Sequence, residues 1–304
     1  MKLEFKKDAL LNGINIVSKA IPSRTTMSIL ECILIDADAS EIKLTGNDME
    51  LGIETKVEGS ILERGKIALE AKLFYEIIRK LPDGETPVVI TSDNRFNTII
   101  ECENAVFNIQ GRDGEEFSYL PYIERDQHIS LTQFTLKEAI RQTIFSISPN
   151  DSNKMMAGEL LEVKDDFLKV VSLDGHRISI RNIQLKKHYD NHKVIVPGKT
   201  LSEISKILTG DNEKEVLIYF SKNHILFEFD DTVVVSRLID GEYFKIDHML
   251  SSDYETRVKL NKRDFMDNID RAMILIRDSD RKPIIMNVED NNVNMKVKSA
   301  FGSM

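Results

Sequence analysis

Two stretches of the chain repeat the same order of apolar and polar positions. Residues 66–81 read KIALEAKLFYEIIRKL, and residues 193–208 read KVIVPGKTLSEISKIL. In both, a short apolar run comes first, a small residue and a lysine follow, and apolar residues then recur every three or four positions. The first part predicts a strand and the second an amphipathic helix. The two stretches begin at residues 66 and 193, much further apart than the roughly 20–50 residues of a solenoid repeat. This separation predicts duplication of a whole domain.

The remainder of the first copy, predicted to span residues 1–122, has the pattern of short strands around two helices. Leu3 and Phe5 alternate with polar residues as in a strand, and Asp8 opens an amphipathic helix that reaches Val17. Further strands are predicted, in order, at 29–36, 41–45, 49–53, 88–91, 98–102 and 105–110. The copy closes with the sequence DGEEF. This order predicts an α+β fold with antiparallel sheets.

A second copy with the same plan is predicted at residues 129–249. Phe134 and Leu136 indicate its opening strand, and residues 137–146 its first helix. Its other strands are predicted at 160–163, 167–172, 177–181, 216–220, 225–229 and 233–238, before the sequence DGEYF repeats DGEEF. The linker at 119–128 is not rich in glycine and serine, which favours semi-rigid spacing of the two copies.

A third copy begins near residue 256 and stops at residue 304. Val258 and Leu260 indicate a strand, and residues 264–275 a helix with Phe265, Ile269 and Met273 turned inward. Two more strands are predicted at 284–288 and 293–297. A piece of about 50 residues buries too little surface to close a core like the other two. We therefore expect the sequence to be part of a longer protein.

Length and composition agree with repeated globular domains. The chain has 304 residues, 41% of them hydrophobic and 30% charged, which fits two or three domains of about 100–200 residues. No apolar run approaches the roughly 18 residues of a membrane span, and the N-terminus lacks the apolar core of a signal peptide. We therefore expect a cytoplasmic protein. The net charge of -9 excludes a uniformly basic surface, but local basic clusters still bind phosphates.

Sequence signatures of cofactor and metal sites are absent. The chain has no GxGxxG, P-loop, CxxC or HExxH sequence. Cys32 and Cys102 are far apart and lack metal-ligand spacing, which predicts two buried thiols. We expect neither a metal nor a cofactor.

The sequence SLDGHR at residues 172–177 is the best candidate for chemistry, and three interpretations of it remain open. Asp174, His176 and Arg177 could serve a hydrolase, Gly175 could supply the permissive backbone of a structural turn, or the segment could line a binding pocket. Neighbouring strand residues point to opposite faces, and no obvious nucleophile lies between the aspartate and the histidine. Catalysis is therefore the least favoured interpretation.

Basic residues concentrate on the predicted helices. Lys72 and Lys199 occupy matching positions of the duplicated helices, and Lys80 lies near the position that matches Lys206. Such recurrence favours a common phosphate-facing surface, although ordinary solvated helix faces would also be basic. The residues on or beside the helices are Lys19, Lys72, Arg79, Lys80, Lys137, Arg141, Lys199, Lys206, Lys262, Arg263 and Arg271, and Arg24 lies in a turn.

Several strings, taken together, resemble one known family. SRTTMSIL at 23–30, LTGNDMEL at 44–51, LDGHRI at 173–178, VIVPGK at 194–199 and SRLIDGEYF at 236–244 resemble the beta subunit of bacterial DNA polymerase III, the sliding clamp. The resemblance covers essentially the whole chain in order. It implies a DNA-clamp fold and, at full length, a head-to-tail homodimeric ring of six domains with helices around the duplex and sheets outside. It also implies a non-catalytic processivity factor for DNA replication.

The resemblance and the repeated basic positions together assign site residues. We expect DNA contacts from Arg24, Lys72, Arg79, Lys80, Lys137, Arg141, Asn150, Lys154, Lys199 and Lys206. The resemblance implies a partner-peptide pocket formed by Met156, Leu173, Gly175, His176, Arg177, Ile178, Phe244, Met249 and Leu250. It implies a dimer interface that includes Ala105, Phe107, Ile109, Ile274 and Leu275.

The implied partners are double-stranded DNA, the alpha subunit of the replicative polymerase, the clamp loader and other proteins with short apolar clamp motifs. No membrane partner is expected. The alternative from another class is an interaction scaffold that does not bind DNA, and a hydrolase built on residues 174–177 is less favoured.

Overall fold

The structure, a computed structural model, describes residues 1–148, 153–250, 253–277 and 282–304. It divides into two compact units, Met1–Tyr243 and Phe244–Met304. Throughout the described residues every strand pairing is antiparallel. The described residues therefore combine α-helices with antiparallel sheets, and the predicted α+β class is confirmed. No helix in this part of the chain has the length and apolar character needed to span a bilayer.

The first copy contains two helices and ten strands among the described residues. In chain order they are β1 Lys2–Phe5, α1 Lys7–Val17, β2 Cys32–Asp36, β3 Ile42–Asn47, β4 Leu51–Val57, β5 Gly59–Glu63, β6 Lys66–Glu70, α2 Ala71–Lys80, β7 Val88–Ser92, β8 Asn97–Cys102, β9 Ala105–Gln110 and β10 Arg112–Asp113. Strands β5-β1-β7-β8-β9 form one sheet in that order. The sequence pattern missed β5 because that strand is mostly exposed and lacks a clear apolar alternation.

The second copy repeats this plan with longer strands. Its elements are β11 His128–Thr132, α3 Gln133–Thr143, β12 Gly158–Leu173, β13 Ile178–Pro197, α4 Gly198–Ile207, β14 Glu215–Phe220, β15 His224–Phe229 and β16 Thr232–Arg237. The predicted opening strand was wrong, because Phe134 and Leu136 lie in α3. The Thr132 side chain accepts a hydrogen bond from the Thr135 backbone N–H, which ends the strand and starts the helix.

A long hairpin replaces four predicted short strands of the second copy. Strands β12 and β13 pair from Gly158 opposite Pro197 to Leu173 opposite Ile178, and the register shifts on both sides of Asp165. The polar residues near Asp165 therefore mark irregularities within one strand rather than an end between two. The prediction was wrong here because backbone hydrogen bonds continue through a stretch whose side chains resemble a turn.

One nine-stranded sheet joins the two copies. Its order is β10-β6-β2-β3-β4-β16-β15-β14-β11, with the first five strands from the first copy and the last four from the second. At the junction between β4 and β16, Gly52 lies opposite Val235, and the Thr55 and Thr232 hydroxyl oxygens are 2.9 Å apart. One hydrophobic core contains residues from both copies. Backbone pairing, rather than the linker alone, therefore fixes the spacing of the two copies.

The connector at residues 117–123 covers the other face of this sheet near the junction. Ile123 is buried with Val235 on that face. Leu120 also packs there and fills the space beside Gly52, where an added Cβ would lie 2.0 Å from the Leu120 Cδ2 atom. A glycine at position 52 therefore lets the connector approach the sheet closely.

Each pair of helices is tied together by a lysine. The Lys7 ammonium, on α1, donates a hydrogen bond of 2.6 Å to the carbonyl of Leu81, which follows α2. The Lys137 ammonium, on α3, donates a 2.7 Å bond to the carbonyl of Leu208, which follows α4. These carbonyls have no partner within their own helices, and the positive charge complements the negative end of the helix dipole. Sequence pattern alone did not reveal this repeated contact.

The second unit contains α5 Lys262–Met273, β17 Ile285–Val288, β18 Val293–Lys296, β19 Lys298–Ser299 and β20 Gly302–Ser303. The predicted strand at Val258 and Leu260 was wrong, because both lie in irregular backbone and each is 43% exposed. Phe265 and Ile269 are half-buried, but Met273 is 50% exposed, contrary to its predicted inward position. This short unit has too few elements to cover that side of α5.

We expect Lys7→Met and Lys137→Met each to lower the free energy of unfolding by about 1–3 kcal/mol, since each removes a charge-assisted bond to a helix end. Urea denaturation followed by circular dichroism measures the change. Lys72→Met is the matched control, because Lys72 is exposed on α2 and has no ion pair among the described residues, so a change within about 0.5 kcal/mol is expected. Equal stability of all four proteins would contradict the capping role.

Candidate nucleic-acid and peptide interfaces

Helix α2 presents a basic face opposite the core. Phe74, Ile77 and Ile78 are buried, whereas Lys72 and Lys80 are exposed. No ion pair to either lysine occurs in the part of the chain that the structure describes. The Glu70 side chain accepts hydrogen bonds from the backbone N–H groups at the start of this helix, which fixes where it begins. The exposed ammonium groups are available to phosphate.

Three of the other predicted basic residues form the same contact on their own helices. Each pairs with a glutamate three positions earlier, a spacing that the sequence already displays: Arg79 with Glu76 at 2.6 Å, Arg141 with Glu138 at 2.7 Å, and Lys206 with Glu203 at 2.7 Å. Hydrogen bonds from the arginines lower the pKa of Glu76 and Glu138. Water and salt weaken such exposed pairs, so a phosphate can compete for the cation.

Two other predicted DNA contacts are engaged elsewhere in the fold. The Lys199 ammonium forms an ion pair with Asp48, whose side chain is 7% exposed. The Lys137 ammonium bonds the Leu208 carbonyl, as described above. The partner of Lys199 comes from the other copy of the repeat, so local sequence could not identify it.

The remaining predicted basic residues lie in turns. Arg24 is exposed in the polar turn after α1, and Lys154 is exposed at the start of a short 3-10 turn. The structure describes no ion pair to either side chain within the residues that it covers. Asn150 lies outside the described residues.

The segment at 173–178 forms a turn organised by Asp174. Its carboxylate accepts hydrogen bonds from the His176 and Arg177 backbone N–H groups at 3.1 and 3.2 Å, and from the Arg177 Nε atom at 2.9 Å. The hydrogen bond from the His176 backbone makes the largest contribution to lowering the pKa of Asp174, and the bonds from Arg177 lower it further. The aspartate therefore builds the turn, and the geometry favours a binding or structural role over catalysis.

The other pocket residues of this segment differ in exposure. Leu173 is 2% exposed and belongs to the interior. Gly175 has a φ of 90°, and apart from its chain neighbours no heavy atom lies within 4 Å of where its Cβ would be. Ile178 and Met156 are half-buried. These positions combine apolar surface with open space beside the turn.

A neighbouring aromatic residue, Phe145, was missed at the sequence level. It is 56% exposed, and the Arg177 guanidinium carbon lies 5.8 Å from its ring centroid. Such an arrangement is favourable for a cation and an aromatic ring. No sequence signal joins these two residues, because they lie on different elements.

The rest of the predicted pocket belongs to the second unit. Met249 and Leu250 are each 52% exposed there, and Phe244 is half-buried. Apolar side chains with this exposure suit contact with a partner protein.

The predicted dimer residues of the first copy lie on an edge strand. β9 pairs with β8 alone in its sheet. Phe107 is 37% exposed, and Ala105 and Ile109 are half-buried on the same side of the strand. An edge strand leaves backbone donors and acceptors able to pair with another chain. In the second unit, Ile274 is 79% exposed and Leu275 half-buried.

The second copy contains a buried acid at the start of its long hairpin. Glu159 is fully buried at the start of β12, with its Oε2 atom 3.0 Å from the Thr143 hydroxyl at the end of α3. Its Oε1 atom has no hydrogen-bond partner within the described residues. Burial raises the pKa of Glu159 to about 8. The Tyr243 hydroxyl donates a hydrogen bond to the nearby Val171 carbonyl. The pKa of Tyr243 is raised, mainly by burial and to a smaller extent by the charge of Glu159.

The described residues contain no group of three histidine, cysteine or acidic side chains arranged to hold a metal. Cys32 and Cys102 are reduced and buried, as predicted. Burial raises the pKa of both thiols, which keeps them in the unreactive protonated form.

Two α+β domains are joined through one antiparallel sheet, and basic residues lie on exposed helix faces. These features are typical of a clamp-type protein. Family models agree. The N-terminal domain of the DNA polymerase III beta subunit matches residues 1–121, and its central domain matches residues 130–245.

Individual relatives point to the same family. The beta sliding clamp of Staphylococcus epidermidis is 34% identical over 307 aligned positions, which cover 98% of this chain and 81% of that protein. The crystal structure of a putative DNA polymerase III beta subunit from Eubacterium rectale has 62% identity and a TM-score of 0.97. The sliding clamp of Bacillus subtilis has 32% identity and a TM-score of 0.95. Each structural match covers 100% of this chain and 82% of the other.

The chain belongs to the beta sliding clamp family of bacterial DNA polymerase III. Members of this family are non-catalytic processivity factors of DNA replication. The predicted family, function and lack of catalysis are therefore confirmed, and the hydrolase interpretation is not favoured.

We expect Glu159→Gln to flatten the dependence of stability on pH. Between about pH 4.5 and 8 the folded state retains a proton that unfolded Glu159 has released, so stability falls as pH rises through this window. The substitution removes a penalty on the order of a few kcal/mol at pH 8. Denaturant unfolding at several pH values measures it.

Glu162→Gln is the control for this experiment, because Glu162 lies on the same strand but is partly exposed near Lys193. It should keep the pH dependence of the parent protein. Parallel stability curves for the parent and Glu159→Gln proteins would contradict a buried protonated acid.

Proposed function

We propose that this protein encircles double-stranded DNA as a cytoplasmic homodimeric ring and tethers the replicative polymerase to its template. The continuous nine-stranded sheet is the observation that carries this proposal, because it positions the helix pairs of two domains on one scaffold. We assign domain I to residues 1–122, domain II to 129–249 and the first part of domain III to 256–304. The grip on DNA then comes from enclosure, while basic side chains contact phosphates without reading sequence.

The predicted DNA-contacting residues differ in how accessible their side chains are to a phosphate. Arg24, Lys72, Lys80 and Lys154 are exposed and provide direct phosphate contacts. At three further residues a phosphate replaces the glutamate of a weak, exposed ion pair: Arg79, Arg141 and Lys206. Lys199 and Lys137 already bond Asp48 and a helix end, so their main role in this proposal is to position the helices.

The partner site accepts short apolar peptides from the polymerase alpha subunit, the clamp loader and other proteins with the same motif. Half-buried Met156 and Ile178 offer apolar contacts beside the open turn at Gly175. Exposed His176 and Arg177 provide polar contacts at its rim. A few apolar anchors with a polar rim are typical of peptide recognition, and flexible methionines suit several partners.

Charge reversal tests the tether. We expect Arg24→Glu, Lys72→Glu and Lys80→Glu together to weaken retention on circular duplex DNA. The salt dependence should fall by about one unit of slope for each phosphate contact that the substitutions remove. Retention of loaded protein on circular and linearised DNA, measured across salt concentrations, is the readout. Linearisation should release the parent protein, because enclosure has no grip on a free end.

The control reverses three exposed lysines outside the helices: Lys164, Lys187 and Lys222. It should retain the parent behaviour. Retention that neither charge reversal nor linearisation changes would favour a scaffold that does not bind DNA.

An edge-strand substitution tests the dimer. We expect Phe107→Asp to convert dimers to monomers, because a carboxylate on β9 would be buried without a partner when the edge pairs with a second chain. Solution mass by light scattering measures the change. Leu62→Asp is the matched control, since Leu62 is 51% exposed on β5, the opposite edge of the same sheet. Loss of the dimer in both variants, or in neither, would contradict the assignment.

A further inference from the structure

A groove of about 260 Å³ lies on the sheet at the β4–β16 junction, far along the chain from the 173–178 segment. Gly52 and Val235, opposite each other in register and both buried, contribute to its lining. Met49, Leu120 and Pro121 provide further apolar lining. The polar lining consists of Asn47, Glu50, Tyr119, His224 and Arg237. We call this site the junction groove.

The turn that borders the junction groove has the same geometry as the turn at 174–177. In each, an aspartate Oδ1 atom accepts hydrogen bonds from the backbone N–H groups two and three residues later. These distances are 3.0 and 2.7 Å at Asp48, and 3.1 and 3.2 Å at Asp174. The residue after each aspartate has a positive φ, 73° at Met49 and 90° at Gly175. The duplication therefore produced the same turn twice.

Met49 has a positive φ, a backbone conformation that is unfavourable for residues other than glycine. The left-handed region costs non-glycine residues roughly 1–2 kcal/mol, yet the Met49 side chain is 55% exposed and gains little from burial. Backbone strain of this kind clusters at active sites, ligand clamps and switch regions. A methionine on this turn adds a flexible apolar wall that the glycine of the other turn lacks.

The polar side of the groove carries an accessible cation. The Arg237 side chain is 60% exposed, and its guanidinium lies 3.5 Å from the carboxylate of Glu50, itself 64% exposed. A guanidinium has five N–H donors, so this long contact leaves most of them for another acceptor. An incoming carboxylate would complement this charge in a bidentate manner beside the apolar lining.

We propose that the junction groove binds a short extended peptide of a partner protein, with one aliphatic side chain against Met49 and Leu120 and an adjacent acidic residue on Arg237. The volume is below the roughly 300 Å³ of small-molecule sites, which suits one side chain rather than a cofactor. This site is separate from the proposed pocket at 173–178, so the protomer has two peptide sites built on the same repeated turn.

Methionine-methyl NMR of the full chain tests the proposal. The probe is the peptide acetyl-Gly-Leu-Glu-Gly-amide, and Met49→Leu identifies the Met49 methyl signal. We expect this signal to shift saturably with peptide. Replacing leucine by alanine or glutamate by glutamine in the peptide should weaken binding by about tenfold or more. The Met156 methyl reports binding at the other pocket in the same spectrum.

Arg237→Gln provides the matched protein variant. It should leave the leucine contact intact and abolish the preference for glutamate over glutamine, because the coupling requires both charges. An unshifted Met49 signal, a shift confined to Met156, or an equal response to all three peptides would overturn the proposal. A shift with protein concentration alone, without peptide, would instead assign the groove to a second copy of the chain and would equally overturn it.

Discussion

Backbone pairing between β4 and β16 is the constraint on which the first unit depends. It joins two domain-sized copies into one sheet and one core, and it satisfies strand edges that would otherwise remain open. The connector reinforces the same junction from the other face, where Leu120 packs beside Gly52. The helix pairs are therefore held at a defined spacing by hydrogen bonds between strands. A flexible linker could not present four helices with comparable order.

The charge pattern on those helices suits a protein that must hold DNA and still move along it. The chain is acidic overall, with a net charge of -9, and several helix cations carry a glutamate three residues earlier. In the proposed ring, each phosphate contact is consequently weak and exchangeable, since exposed ion pairs contribute little and compete with solvent and salt. Retention by enclosure then requires little from any single contact, and motion along the duplex meets no deep sequence-specific minimum.

Duplication also explains why the surfaces near the two turns are related without being alike. Asp48 and Asp174 perform the same backbone task, so the turn geometry is preserved. The residues that follow are not restricted by those hydrogen bonds, and they differ in size and charge: Met49 stands where the other turn has Gly175. The two surfaces therefore differ in their side chains around a similar backbone turn.

The sequence by itself determined the α+β class, the duplication, most strands and helices, the buried thiols and the family, because apolar periodicity and turn residues are local signals. It did not reveal that Phe134 begins a helix or that residues around Asp165 continue a strand, since side-chain capping and neighbouring backbone decided those points. Only the tertiary structure showed that Lys199 pairs with Asp48 and that Glu159 is buried as a protonated acid. These properties depend on groups brought together from distant positions, and charge and burial are set by that surrounding space rather than by sequence neighbours.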